Sequence, residues 1–235
     1  MAERRGSGFA IWITAVVALV VAVVIGVVIA VDSAAKSTST DVGARPSGSI
    51  IDTKTGAISV GDPSAKNTVA TYIDFMCPVC NAFEKHYGPT LRDQVERKTV
   101  HLQVHPVAIL DRASNGTQFS SRAASAAYCV AQDSPDSMWP FITAMYADQP
   151  KEGSDGLADA RIVAIAHGAG ATASGLDACI TSHRFVGYVQ KLTESLPADP
   201  ATGQAGTPTV IVNGTYIPYA ELATGDPQAI LAKLK

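Results

Sequence analysis

Uncharged residues run without a break from Phe9 to Val31, 23 positions softened only by Thr14 and Gly26. As a helix rising about 1.5 Å per residue, that run reaches roughly 35 Å, enough to cross a bilayer. A secretory h-region spans about 7–15 residues, so the run reads as a retained signal-anchor and not as a cleaved signal. Arg4 and Arg5 precede it and Asp32 follows. The positive-inside rule then keeps residues 1–8 cytoplasmic and puts everything beyond Val31 outside, as a single-pass protein of the cell membrane. Residues 32–49, rich in Ser, Thr, Ala and Gly and without apolar periodicity, predict a flexible tether.

Beyond the tether, residues 57–60 and 68–75 predict strands. Phe83, Tyr87, Leu91 and Val95 then recur every four residues, a helical stripe that Gly88-Pro89 is expected to kink or divide. Val100, Leu102 and Val104 alternate with His101, Gln103 and His105 up to Pro106, a strand whose histidines form its polar face. From about residue 112 to 197 the period changes. Stripes such as Phe119, Ala123, Ala126 and Val130, then Ile162, Ile165 and Ala169, predict four or five helices separated by Gly and Asp clusters. A strand pattern returns at 208–212, and Asn213-Gly214 is a two-residue hairpin turn leading to Tyr216 and Ile217. A short helix over about 227–234 closes the chain. The order strand, helix, strand, helical insertion, hairpin, helix predicts an α/β fold with an all-helical insert.

Of 235 residues, 47% are hydrophobic, which excludes intrinsic disorder. Lys and Arg number 18 against 21 Asp and Glu. The first 31 residues hold two of the arginines and one glutamate, so the remainder carries 16 basic and 20 acidic side chains. Such a mildly acidic domain has no basic field to hold nucleic acid.

Four cysteines carry the candidate chemistry. Cys77-Pro78-Val79-Cys80 directly follows a predicted strand and opens a predicted helix. Cys77 falls at the N-cap and Pro78 at the first helical position, where its missing N–H costs nothing. The unpaired N–H groups and positive end of the helix face the Cys77 sulfur and favour its thiolate, lowering a pKa of about 8.5 into the range of roughly 3.5–7.5. Cys80, one turn on, is placed to attack a mixed disulfide at Cys77. Pro78 and Val79 bring neither charge nor donor, so backbone and dipole do the tuning. Asp74 either assists proton transfer at Cys80 or faces water, and Glu84 reads as a solvated helix face. Zinc would need two further ligands; Cys129 and Cys179 are solitary, and His101 and His105 read as a strand face, so no metal is expected. A purely structural Cys77–Cys80 bond would close a loop too small to stabilise much.

The segments Ile73-Asp74-Phe75-Met76-Cys77-Pro78-Val79-Cys80 and Gly206-Thr207-Pro208-Thr209-Val210-Ile211-Val212-Asn213-Gly214, with a helical insertion between them, resemble the DsbA-type thiol–disulfide oxidoreductases of the thioredoxin superfamily. The resemblance is to the membrane-tethered form of actinobacteria and other Gram-positives, within a domain set at residues 50–235. It implies a thioredoxin fold with an inserted all-helical subdomain at about 112–197, preceded by one N-terminal transmembrane helix. It implies that Pro208 is a cis-proline beside the cysteines, with Thr207 against the Cys77 sulfur and its backbone offered to an extended substrate. The implied reaction passes the Cys77–Cys80 disulfide to reduced exported proteins. A quinone-linked membrane reoxidase of the DsbB or VKOR type restores it, and no organic cofactor is needed. A tethered reductase or isomerase running electrons the other way shares these motifs. A chaperone or binding module with structural cysteines is the remaining alternative. Cys129 and Cys179 sit on apolar stripes, as buried free thiols or as a pair. Outside the membrane, and by resemblance to this family, a Cys129–Cys179 disulfide is expected.

Overall fold

The computed structural model describes residues 44–235. The apolar run 9–31 and the tether up to residue 43 lie outside the described residues. Among the described residues no helix is long and apolar enough to cross a membrane. The last part of the expected tether is held against the domain: Pro46 is buried, and the Ser47 N–H donates to Gln132 Oε1 at 3.0 Å.

Six strands, β1 (Ile51–Asp52), β2 (Ala57–Val60), β3 (Asn67–Ile73), β4 (Val100–Pro106), β5 (Thr209–Val212) and β6 (Thr215–Tyr216), form one mixed sheet in the order β1-β2-β4-β3-β5-β6. β3 and β4 are parallel, in register from Asn67↔Val100 to Ile73↔Pro106. A parallel pair needs a crossover, supplied here by helix α1 (Pro78–Glu96). β2 and β5 flank this pair in antiparallel sense. Burying the centre of the sheet overturns one expectation about β4. It is an interior strand covered on both faces, so His101 and His105 are buried instead of forming a solvated face. His105 stacks on Tyr72 with ring centroids 4.2 Å apart, and burial holds its imidazole neutral, with a pKa pushed down to about 4.

Two further boundaries differ from the sequence pattern. β3 ends at Ile73, not at residue 75, because Asp74 starts the turn into α1: the Cys77 N–H donates to the Asp74 carbonyl at 3.0 Å. Nor is α1 divided at Gly88-Pro89. Pro89 removes one ladder bond, but Phe83, Tyr87 and Leu91 are buried on both sides of it, and that packing carries the helix through.

Between β4 and β5 lie α2 (Phe119–Asp133), α3 (Met138–Ala147), α4 (Asp159–Gly168), α5 (Leu176–Thr181) and α6 (Val186–Thr193). Twelve of the fifteen α2 residues are buried, so this helix is covered almost all round. Its alanines let neighbours approach closely, and its buried serines are satisfied: Ser121 Oγ bonds Asp111, and Ser125 Oγ accepts the Phe185 N–H at 3.0 Å. A disulfide joins Cys129 of α2 to Cys179 of α5. After β5, Asn213 and Gly214 take φ of 51° and 82°, the left-handed pair that a tight hairpin requires. The return strand β6 is only two residues long, and the short helices α7 (Tyr219–Leu222) and α8 (Gln228–Leu231) follow. The sequence pattern did not mark α7.

Candidate active site

The four residues from Asp74 to Cys77 turn the chain from β3 into α1. Cys77 is the N-cap, with extended backbone (φ −72°, ψ 116°), and Pro78 opens the helix. Cys77 is 6% exposed and Cys80 fully buried, both as free thiols. From 130 residues away, the carbonyl of Thr207 accepts the Cys77 Sγ–H at 3.4 Å. The Thr207–Pro208 bond beside it is cis. The Thr207 hydroxyl is buried with no other hydrogen-bond partner, so it is free to serve the sulfur.

These surroundings split the two thiols. The Cys80 thiol hydrogen-bonds to the Cys77 sulfur and, with Thr207 and the N–H groups of Cys80 and Val79, outweighs desolvation and lowers the Cys77 pKa to about 6. Burial drives the Cys80 pKa well above its ordinary value, and donation to Cys77 adds to that. At neutral pH these surroundings favour the Cys77 thiolate while Cys80 keeps its proton, and the Sγ–H donated to the Thr207 carbonyl belongs to the protonated form of Cys77. Pro78 and Val79 act only through the backbone; Val79 itself is partly exposed.

Asp74 does not face water. Its carboxylate is fully buried and accepts three hydrogen bonds, from Met76 N (2.8 Å), Ser120 Oγ (2.7 Å) and Leu110 N (3.0 Å). Burial raises its pKa to about 6 in spite of those donors. The side chain ties together the cysteine turn, the loop after β4 and α2. Glu84 is also not a solvated face: it is half-buried, accepts the Thr143 hydroxyl at 3.0 Å, and burial raises its pKa. A cavity of about 20 Å³, lined by Cys80, Glu84, Thr71 and Tyr146 among apolar neighbours, has room for one water molecule.

Sequence reasoning missed three residues that hold the turn in place. Gln149 Nε2 donates to the carbonyls of Phe75 (3.0 Å) and Cys77 (2.9 Å). Asn81 Nδ2 donates to Gln149 Oε1 at 2.9 Å and to the Tyr146 carbonyl at 3.0 Å. The Tyr146 hydroxyl in turn donates to the Asp74 carbonyl at 3.2 Å. Gln149 lies in an aperiodic loop after α3, and no sequence signal marks it. Beside Cys77, an apolar groove is lined by Val79, Phe83, Tyr87, Pro208, Tyr219 and Leu222. Cys129 and Cys179 stand apart, buried in the helical segment with Cα atoms 5.9 Å apart. Among the described residues, no group of three or more His, Cys, Asp or Glu is gathered as a metal ion would need.

A family model described as Thioredoxin matches residues 53–225. The chain belongs to the thioredoxin family. Within that family it is similar to the reduced disulfide bond oxidoreductase DsbG of Mycobacterium tuberculosis: 34% identity, TM-score 0.61, covering 76% of this chain and 89% of that one. It is also similar to the oxidised DsbA of the same organism: 32% identity, TM-score 0.61, covering 76% of this chain and 94% of that one. These neighbours support a protein disulfide oxidoreductase. Over 169 residues, 70% of its length, the chain is 28% identical to the serine/threonine-protein kinase PknE of Mycobacterium tuberculosis, and it spans 30% of that kinase.

Proposed function

We propose that this thioredoxin-family protein is an extracytoplasmic thiol:disulfide oxidoreductase, tethered to the cell membrane by residues 9–31, that donates its Cys77–Cys80 disulfide to reduced exported proteins. The opposite displacement of the two thiol pKa values carries this reading. A substrate thiolate attacks Cys77 Sγ, forming a mixed disulfide and breaking the Cys77–Cys80 bond. Cys80 leaves and takes up a proton, which its raised pKa favours. A second substrate thiolate then attacks the substrate sulfur of the mixed disulfide and expels Cys77 as a thiolate, the form its surroundings stabilise. The substrate loses two electrons and the enzyme gains them. A quinone-linked membrane reoxidase of the DsbB or VKOR type removes them again.

Stabilising the Cys77 thiolate stabilises the reduced enzyme, which makes its disulfide a better oxidant. A fall from 9.0 to about 6 corresponds to on the order of 4 kcal/mol, or roughly 90 mV, above pH 9, and to about 1.4 kcal/mol, or roughly 30 mV, at pH 7. The groove beside Cys77 offers apolar surface to an unfolded chain, and the Thr207 backbone offers hydrogen bonds without regard to sequence.

The test is the reduction potential of the full chain against glutathione, with the melting temperature of each redox form. A potential near about −120 mV, with the reduced form melting higher, is the expected outcome. A value near about −270 mV would make the protein a reductant and overturn the proposed direction.

A further inference from the structure

A second concave site lies at the β1 edge of the sheet, away from the cysteines. Its lining holds three cations, Arg45, Lys54 and Lys191, together with Thr53, Tyr188 and Ser195. The concavity is about 340 Å³, large enough for a phosphate group with its substituent. All three cations are exposed, and none forms an ion pair within 4.0 Å among the described residues. They come from separate stretches: the segment before β1, the β1–β2 turn, and α6. In a domain with an acidic excess, three like charges around one hollow repel each other, and an anion relieves that repulsion.

Two of the cations, Lys54 and Lys191, stand on a hydrogen-bonded frame. In the β1–β2 turn the Asp52 carboxylate accepts the Lys54 N–H (2.9 Å) and the Thr55 hydroxyl (2.9 Å). The Gly56 N–H returns to the Asp52 carbonyl at 2.8 Å. Gly56 has φ +74°, and a Cβ there would run into the Leu192 side chain, so the turn sits close against α6. The buried Tyr188 of α6 donates its hydroxyl to the Thr53 carbonyl at 3.3 Å, and Tyr128 of α2 donates to the Gly56 carbonyl at 2.6 Å. Lys54 and Lys191 are thereby presented from two elements pinned together. Asp52 and Glu194 are the acidic groups next to the site; the Asp52 oxygens are engaged within the turn, and the two carboxylates offset part of the positive charge of the three cations.

We propose that Arg45, Lys54 and Lys191 form a binding site for a phosphate-bearing anion, either free in solution or carried on a phospholipid headgroup. The guanidinium supplies a forked pair of donors and the two ammonium groups supply point charges, a set suited to a dianion. β1 and the redox-active β3 are three places apart in the sheet order, about 14 Å at the usual strand spacing. The β1–β2 turn lies at the end of the sheet where Cys77 lies, since Asp52 and Ala57 pair there and Ile73 and Pro106 end there. A bound headgroup would thus lie on the same end of the molecule as the cysteine pair.

The test is calorimetric titration of the full detergent-solubilised chain with inorganic phosphate, dihexanoyl phosphatidylglycerol and dihexanoyl phosphatidylcholine, each below its micelle concentration. The wild type is compared with the triple variant Arg45→Gln, Lys54→Gln, Lys191→Gln and with the control Lys233→Gln. Saturable, salt-weakened binding of phosphate or of phosphatidylglycerol is expected, reduced at least tenfold in the triple variant and unchanged in the control. Phosphate binding alone assigns a free anion, and tighter phosphatidylglycerol binding assigns the lipid headgroup. No saturable binding, binding equal in the triple variant, or equal affinity for zwitterionic phosphatidylcholine overturns the site. Melting temperatures of all variants show that they are folded, and dithiol oxidation should be unaffected by the triple substitution, which keeps this result separate from the redox reading.

Discussion

Cys77 with Cys80 and Cys129 with Cys179 use the same atoms in opposite settings. The first pair sits at a helix N-terminus, with Cys77 keeping 6% exposure and Cys80 none, backbone N–H groups pointing at the Cys77 sulfur, and two residues between the cysteines. The second pair is 50 residues apart in sequence and sealed between α2 and α5. A short loop gives a disulfide little to do for stability, whereas an accessible sulfur with a stabilised thiolate exchanges readily. A long loop in an apolar interior does the reverse: closing it restricts the unfolded chain, and burial keeps thiolates away. Position along the chain and the helix terminus that faces Cys77, not the cysteine itself, set the two roles apart.

The sharpest way to break this contrast is to remove one sulfur at a time. Cys77→Ser should abolish dithiol oxidation, by at least about a thousandfold, because the remaining free thiol, Cys80, is fully buried and its thiolate is disfavoured. Cys80→Ser, given a substrate that already carries a disulfide, should instead accumulate a mixed disulfide at Cys77, with the substrate's other sulfur released as a thiol, visible by mass under non-reducing conditions. Cys129→Ala combined with Cys179→Ala should leave oxidation nearly intact; loss of activity in a folded double variant would sink the division of labour.

A pH series sharpens the same contrast. The folded Cys77 pKa is about 6 and its ordinary value 9.0, so the thiolate stabilises the reduced fold fully above pH 9 and loses that contribution as pH falls through 6. The stability of the reduced form relative to the oxidised form should therefore rise by about 3 kcal/mol from pH 6 to pH 9. Denaturant titrations of both forms across that window check it, and a flat difference would mean that Cys77 is not a stabilised thiolate. Removing the second disulfide should cost roughly 3–4 kcal/mol in both redox states, without moving the Cys77–Cys80 potential. A shift in that potential would show that the helical segment tunes the cysteine pair as well as bracing it.

Much of the fold was legible in the residues because the relevant signals are local. The parallel βαβ unit, the change to helical periodicity before residue 119, and the Asn213-Gly214 turn each depend on fewer than about a dozen neighbouring residues. The same holds for the core of the site, since a cysteine at an N-cap followed by proline carries its chemistry in four consecutive positions. The misread elements are those whose fate depends on what covers them. Alternation in β4 marks a polar face only if one side meets water, and in this sheet neither does. Glu84 has a solvated side chain in any local reading and Asp74 could be read either way, and it is α2, α3 and the loop after β4 that enclose or half-enclose them.

Sequence alone determined where the reactive sulfur sits, which backbone element activates it, and the order of strands and helices around it, because helix dipoles and hydrophobic periods act over one or two turns. Tertiary structure decided which distant groups meet that sulfur and which of its neighbours lose contact with water. Thr207 reaches Cys77 across 130 residues, Gln149 clamps the turn from the far end of α3, and three cations from separate segments converge on one hollow. Burial and long-range hydrogen bonds are properties of the packed chain, and no window of sequence contains both partners.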